Sequence, residues 1–152
     1  MREVTRVRDR LAKAARTAVL SNASRLGDPA VRAALAAMDV PILKLDAGTE
    51  ATFQRLARPL PPGVALDEIV AGMASLEGIT IQSLFCGGAG GNSSPEDVAA
   101  WAERVRAIRP ACVQVYSVDR GYPSRDIEQL GPARLGEIAA ALGKDGPPVT
   151  VF

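Results

Sequence analysis

The chain has 152 residues, of which 47% are hydrophobic, 23% charged and only 4% aromatic. A length of ~100–200 residues usually makes one domain with a real core, so residues 1–152 are expected to form a single domain. Eighteen basic against seventeen acidic residues leave a formal charge of +1, which provides no footprint for nucleic acid or an anionic membrane. The chain has no histidine and two cysteines. A Ser-His-Asp triad, a histidine base, a His-bound zinc and a cluster ligated by cysteines of this chain alone are thereby excluded. No apolar run approaches the ~20 residues of a membrane span, and no signal peptide is expected before the first helix. With so few cysteines, a reducing, cytoplasmic setting is expected.

Residues from about Glu3 to Ala15 place Val4, Val7, Leu11 and Ala14 at helical spacing. Thr17 to Leu20 reads as a short strand, closed by the polar run Ser21-Asn22-Ala23-Ser24. Asp28-Pro29 has the form of an N-cap followed by proline at the first helical position, and Val31, Leu35 and Met38 supply the stripe of that helix. Pro41 to Asp46 is the next strand, ending at Ala47-Gly48. A connection through Arg58-Pro59-Leu60-Pro61-Pro62-Gly63 reads as a βα-loop, not a domain boundary. It leads to a helix carrying Leu66, Ile69, Val70, Met73 and Leu76. Ile79 to Phe85 is a strand, Gly87 to Asn92 a glycine loop, and Ser94-Pro95-Glu96-Asp97 a capping box for a helix with Val98, Trp101, Val105 and Ile108. Cys112 to Val118 is the fourth strand. Pro132 to Leu142 is the last helix, stopping at Gly143, and Pro148 to Phe152 closes the chain. Strands alternating with helices predict α/β architecture, with a parallel five-stranded sheet and right-handed crossovers.

Strands covered on both faces read as continuous apolar runs, and these do not. With period two, Ile42, Lys44 and Asp46 share one face and Leu43 and Leu45 the other. Thr80 and Gln82 lie opposite Ile79 and Ile81, and Gln114 and Tyr116 lie opposite Val113 and Val115. One face therefore suits a helix layer. The other would line the interior of an incomplete (β/α) TIM-like barrel, open at the carboxyl ends of the strands where ligands bind in such folds. An unrelated doubly wound sheet with its ligand at a switch point is the alternative architecture.

Lys44 is the most informative residue. Arginine outnumbers lysine five to one, yet this lysine sits inside an apolar strand. Burying an ammonium without a partner is costly, and Asp46 on the same face is its obvious partner. The pair either closes the barrel mouth structurally or binds an anionic, hydroxylated ligand. Gly87-Gly88-Ala89-Gly90-Gly91 could cradle phosphate before a helix, but lacks the Walker spacing and lysine, so a flexible loop is expected. Cys86 and Cys112 read as apolar fillers and Trp101 as core. Arg55 and Arg58 fall in the loop after Asp46. Loops beyond strand C-termini are where substrate-binding cations would be placed.

Several segments in register resemble the radical S-adenosylmethionine (radical SAM) superfamily, in the iron–sulfur oxidoreductase branch similar to the wyosine tRNA-modifying enzymes. They are Ser21-Asn22-Ala23-Ser24, Ile42 to Gly48, Thr49 to Arg55 with Arg58-Pro59, and Gln82 to Phe85. Asn92, Trp101 and Gln114 to Arg120 continue the order, so the similarity covers nearly the whole chain. The resemblance implies a partial (β/α) barrel in which a [4Fe-4S] cluster, held by a CxxxCxxC loop, reduces S-adenosylmethionine to methionine and a 5′-deoxyadenosyl radical. This sequence lacks that motif and the Gly-rich segment on the following strand. On this resemblance it looks like the C-terminal two-thirds of the barrel, a truncated or split radical SAM protein expected to ligate no metal, to supply no catalytic residue and to be inactive alone.

By the same resemblance, Ser21, Asn22, Ser24, Lys44 and Asp46 face S-adenosylmethionine. Gln82, Gln114 and Tyr116 line the substrate cavity. The missing strands would leave an open edge at Thr17–Leu20, so a complementing N-terminal half or a homo-oligomer is the expected partner. Neither a membrane nor, with its dispersed arginines and few aromatics, a nucleic acid is expected as one. A non-catalytic α/β ligand-binding or interaction module is the alternative function.

Overall fold

The computed structural model of the chain describes residues 2–59, 63–119 and 125–152. Leu60, Pro61 and Pro62 of the proline-rich connection, and Arg120 at the end of the resemblance, lie outside the described residues. The elements run α1 (Arg2–Leu11), β1 (Ala18–Ser21), α2 (Pro29–Ala36), β2 (Val40–Lys44), α3 (Glu50–Ala57), α4 (Leu66–Ala74) and β3 (Thr80–Leu84). They continue α5 (Pro95–Ile108), β4 (Cys112–Tyr116), α6 (Pro132–Ala140) and β5 (Val149–Val151).

Every neighbouring pair of strands is parallel, and the order across the sheet is β1-β2-β3-β4-β5. Right-handed crossovers that always step the same way put their helices on one side, as in a (β/α) barrel. A doubly wound sheet needs a reversal of strand order, and the described strands have none, which sets that alternative architecture aside.

Two expected boundaries are corrected. The first helix ends at Leu11 instead of Ala15, and its stripe is not covered: Val4, Val7 and Leu11 are all exposed. Residues 49–57 are not a loop but a cap and a helix, α3, whose Thr49 side chain accepts the Thr52 N–H at 3.2 Å. The caps at Asp28 and Ser94 stand as expected, accepting the N–H groups of Ala30 at 2.8 Å and Asp97 at 3.1 Å.

The alternation decides what the two faces of the sheet touch. Leu43, Ile81, Val113 and Val115 are fully buried, packed with Ile69 and Met73 of α4, Trp101 and Val105 of α5, and Ile138 of α6. Trp101 meets Phe85 edge to face at 5.0 Å and donates its indole N–H to Ser83 Oγ at 2.9 Å, so its one polar atom is satisfied within the core. Ile42, Lys44, Gln82, Gln114 and Tyr116, on the opposite face, are only half-buried. Among the described residues no helix is long and apolar enough to cross a membrane.

Gly48, at the exit of β2, crosses the backbone of α5 so closely that a Cβ would lie 2.1 Å from Trp101 N and 2.2 Å from Ala100 C. No side-chain rotation relieves a clash with backbone. Gly48→Ala is expected to lose about 3 kcal/mol or more of stability, read from urea unfolding.

At the amino ends of the strands, the Asp39 carboxylate accepts the Thr17 N–H and hydroxyl, both at 2.7 Å, and Arg8 Nη1 at 2.7 Å. These bonds, led by the Thr17 N–H, lower its pKa to about 2. A depressed carboxylate stabilises the fold above its unfolded pKa and loses that contribution as pH falls through the folded value. The thermal-stability gap between the wild type and Asp39→Asn should therefore be constant above about pH 5 and close toward pH 2.

Candidate functional site

The carboxyl ends of β1 and β2 open into a cavity of about 260 Å³. One wall is polar, formed by Asn22, Ser24, Lys44 and Asp46. The other is apolar, formed by Phe53, Ala57 and Pro59 from α3 and its exit with Leu66 and Ile69 of α4. The helix not expected from the sequence therefore builds much of the apolar wall.

Each polar group is held by a local device. Asn22 Oδ1 accepts the Ser24 N–H at 3.2 Å and the Ser24 hydroxyl at 2.9 Å, and Ser21 Oγ accepts the Ala23 N–H at 3.1 Å. Together they hold the buried Ala23 in the left-handed region, at φ 60°. Strain of this kind, typically ~1–3 kcal/mol, persists only where the surroundings over-determine it.

Lys44 Nζ lies 3.0 Å from Asp46 Oδ1 and donates to the Tyr116 hydroxyl at 2.7 Å, while standing 4.6 Å from the centroid of that ring. An ammonium has three protons, so one has no protein acceptor among the described residues. Asp46 Oδ1 also accepts the Leu84 N–H at 2.7 Å, which locks the carboxylate against β3 and leaves Oδ2 without a protein donor among those residues. The site thus presents a spare cationic donor and a spare carboxylate acceptor side by side at the cavity mouth.

Asn92 supports this arrangement and was not among the site residues expected from sequence. It is 1% exposed. Its Nδ2 donates to the carbonyls of Asp46 at 2.7 Å and Leu84 at 2.8 Å, and its Oδ1 accepts the Cys86 N–H at 2.9 Å. One side chain thereby fastens the carboxyl ends of β2 and β3. Its signals in the sequence are its place closing the glycine run and its place in the resemblance, neither of which marks it as a strand-end anchor. Asn92→Ala leaves three backbone groups at the strand ends without this partner and is expected to cost about 2–4 kcal/mol in urea unfolding, with Asn92→Asp at least as damaging.

The remaining residues singled out in the sequence fall in three places. Gln82 and Gln114 sit beside Lys44 in register across the interior face, Gln82 Nε2 donating to Gln114 Oε1 at 2.9 Å. Tyr116 joins them through Lys44. Ser21 ends β1 and turns its hydroxyl to the Ala23 N–H, outside the cavity lining. Arg55 and Arg58 are on and just after α3, not in a loop, and neither lines the cavity. Arg55 Nη2 donates to Gly91 O at 2.7 Å and lies 3.7 Å from Asp97, while Arg58 is the exposed, left-handed C-cap.

The glycine run is neither a free loop nor a phosphate cradle. Gly87 N–H donates to Glu128 O, Gly90 N–H to Asp126 O, Gly91 N–H to Gly88 O and Asn92 N–H to Cys86 O, so these donors are already engaged. At Gly88, where φ is 81°, a Cβ would meet Asp126 O at 2.5 Å. Cys86 is buried, and burial pushes its thiol pKa up, the inert behaviour expected of a filler. Cys112 is only half-buried, its sulfur 3.6 Å from Thr80 Oγ1 on the interior face. Because Cys112 pairs with Thr80 in register, about 20 Å of strand rise separates it from Cys86, too far to share a ligand.

No protein-family model and no curated protein matches the chain. Solved structures do. A radical SAM methyltransferase from Sphaerobacter thermophilus superposes with a TM-score of 0.63 at 16% identity, over 89% of this chain and 39% of that one. A domain of pyruvate-formate lyase-activating enzyme from Bacteroides vulgatus gives 0.64 at 14% identity, over 89% of this chain and 80% of that one. SuiB from Streptococcus suis, solved bound to S-adenosylmethionine, gives 0.64 at 14%, over 90% of this chain and 33% of that one. The chain thus spans well under half of two of these proteins. At such identities the likeness is one of fold alone: the chain shares part of the parallel α/β fold of these proteins.

Proposed function

We propose that this chain forms the S-adenosylmethionine- and substrate-facing part of a radical SAM-type barrel. The observation that carries the reading is the convergence of Asn22, Ser24, Lys44 and Asp46 on one cavity at the carboxyl ends of β1 and β2. S-adenosylmethionine has a carboxylate, an amine, ribose hydroxyls and a flat adenine. The donor set suits those groups: the Lys44 ammonium for the carboxylate, Asp46 with the Asn22 amide and Ser24 hydroxyl for hydroxyls and amine. The apolar wall around Phe53 and Ile69 suits the ring. Gln82, Gln114 and Tyr116 continue the same face away from the cavity, where a substrate would lie.

A [4Fe-4S] cluster does not fit this chain. Two cysteines separated along their strands cannot supply its thiolates, and the described residues hold no group of three or more His, Cys, Asp or Glu side chains that could bind a metal. Reductive cleavage would depend on thiolates from other polypeptide. The role left to this chain is to bind and orient, and to keep water from the apolar wall.

Calorimetric titration with S-adenosylmethionine tests the reading, beside a Lys44→Ala, Asp46→Ala variant whose fold is checked by circular dichroism. Removing charge-assisted contacts worth about 1.5–3 kcal/mol each should weaken binding at least about 10-fold. A folded wild type that binds nothing would sink it.

A further inference from the structure

Among the described residues the sheet is open, with two unpaired edges, and these are complementary. The Thr17 carbonyl accepts the Val40 N–H at 3.0 Å, so β1 bonds to β2 through its odd-numbered residues. By the alternation of a parallel ladder, the N–H and C=O groups of Ala18 and Leu20 then point off the sheet. At the far edge, the Pro148 carbonyl accepts the Val113 N–H at 2.8 Å and the Phe152 N–H donates to Val115 O at 3.0 Å. The groups pointing outward from β5 are therefore those of Val149 and Val151.

Three of the six exposed large hydrophobic residues among the described ones lie at these two edges. Leu20 is 58% exposed on β1, while Val151 at the end of β5 and Phe152 just beyond it are 38% and 71% exposed. The others, Val4, Val7 and Leu11, belong to α1, which runs into β1 and is tied to its start through Arg8 and Asp39.

We propose that two copies of this chain pair edge to edge, β5 of each lying parallel beside β1 of the other. The register sets Thr150 against Ala18, Val151 against Val19 and Phe152 against Leu20. It brings outward groups of one strand opposite the bonding side of the other, as a parallel ladder requires. It also matches faces. Val151 pairs in register with the buried Val115 and so lies on the helix side, as does Val19, which packs against the core. Phe152, one residue on, falls on the interior side with Leu20, the register partner of Ile42. A second copy is favoured because this chain itself carries both kinds of edge, matched face by face. A two-fold axis parallel to the strands uses both edges of both copies, so assembly stops at two and leaves no edge for aggregation.

The test is the mass of the purified full chain by sedimentation equilibrium at micromolar concentration. The expected value is twice the 15.9 kDa of one chain. Leu20→Pro removes a donor aimed away from β2 and leaves the internal ladder intact. Val151→Lys places a charge on the other edge. Each should weaken dimerisation at least about 10-fold with unchanged circular dichroism. Should either fail to fold, a Leu20→Cys, Phe152→Cys chain gives an independent readout. Its two sites lie on opposite edges of one sheet, so oxidation should cross-link two chains and not one. A monomeric wild type, a dimer indifferent to folded edge variants, larger open assemblies, or no cross-link between chains would each overturn the pairing. A strand-bearing segment of another polypeptide would compete for the same edges. The pairing does not depend on cofactor binding, so a failed S-adenosylmethionine titration leaves it standing.

Discussion

A parallel sheet wound always in one direction has two unlike faces, and the rest of this molecule depends on that asymmetry. The helices collect on one side, so Leu43, Ile81, Val113 and Val115 are sealed under Trp101, Met73 and Ile138. The opposite side receives no helix from the crossovers, and polar side chains can stand there half-solvated. Lys44, Gln82, Gln114 and Tyr116 form a row on that side because strand register aligns them. An ammonium at the carboxyl end of β2 is tolerable only there, where a carboxylate, a phenol and an aromatic face all reach it.

The cavity comes from a second constraint, the anchoring of the strand ends. Asn92 binds the Asp46 carbonyl just past β2 and the last carbonyl of β3, Ser83 donates to Leu45 O at 2.6 Å, and Gly48 lets the chain pass against α5. From this base α3 is bolted across the top. Thr52 donates to Asp97 at 2.6 Å, Arg55 reaches Gly91 O, and Glu50 accepts the Leu66 N–H at 2.8 Å, capping α4, whose own Ala65 has no side chain to do so. The Gln54 amide and that N–H together hold the Glu50 pKa below its usual range. The apolar wall over Lys44 and Asp46 thus rests on three polar ties to three different elements.

Those ties explain what was hidden in the sequence. α3 is only eight residues long and offers little apolar periodicity beyond Phe53 and Leu56, so its stabilisation lies mostly in partners 10 to 45 residues away. Arg55 reads as a free cation until the fold places Gly91 O beside it. α1 errs in the opposite direction: its stripe is regular enough to extend to Ala15, but no surface in the described residues covers it. The glycine run looks mobile because glycine permits so much. It is ordered by residues 126–128, which reach it through backbone bonds that no side-chain pattern records.

The sequence by itself determined the order of the elements other than α3, the α/β class, the polar face carrying Lys44, Asp46, Gln82, Gln114 and Tyr116, and the caps at Asp28 and Ser94. These follow from periods of two and 3.6 residues and from contacts spanning at most three positions, which are local properties of a chain. Only the tertiary structure decided that the strands stack in sequential order, that Asn92 joins two strand ends, that α3 exists and walls a cavity, and that Arg55 turns to Gly91. Each depends on groups remote in sequence meeting at hydrogen-bond distance, and such meetings are a property of packing, not of spacing along the chain.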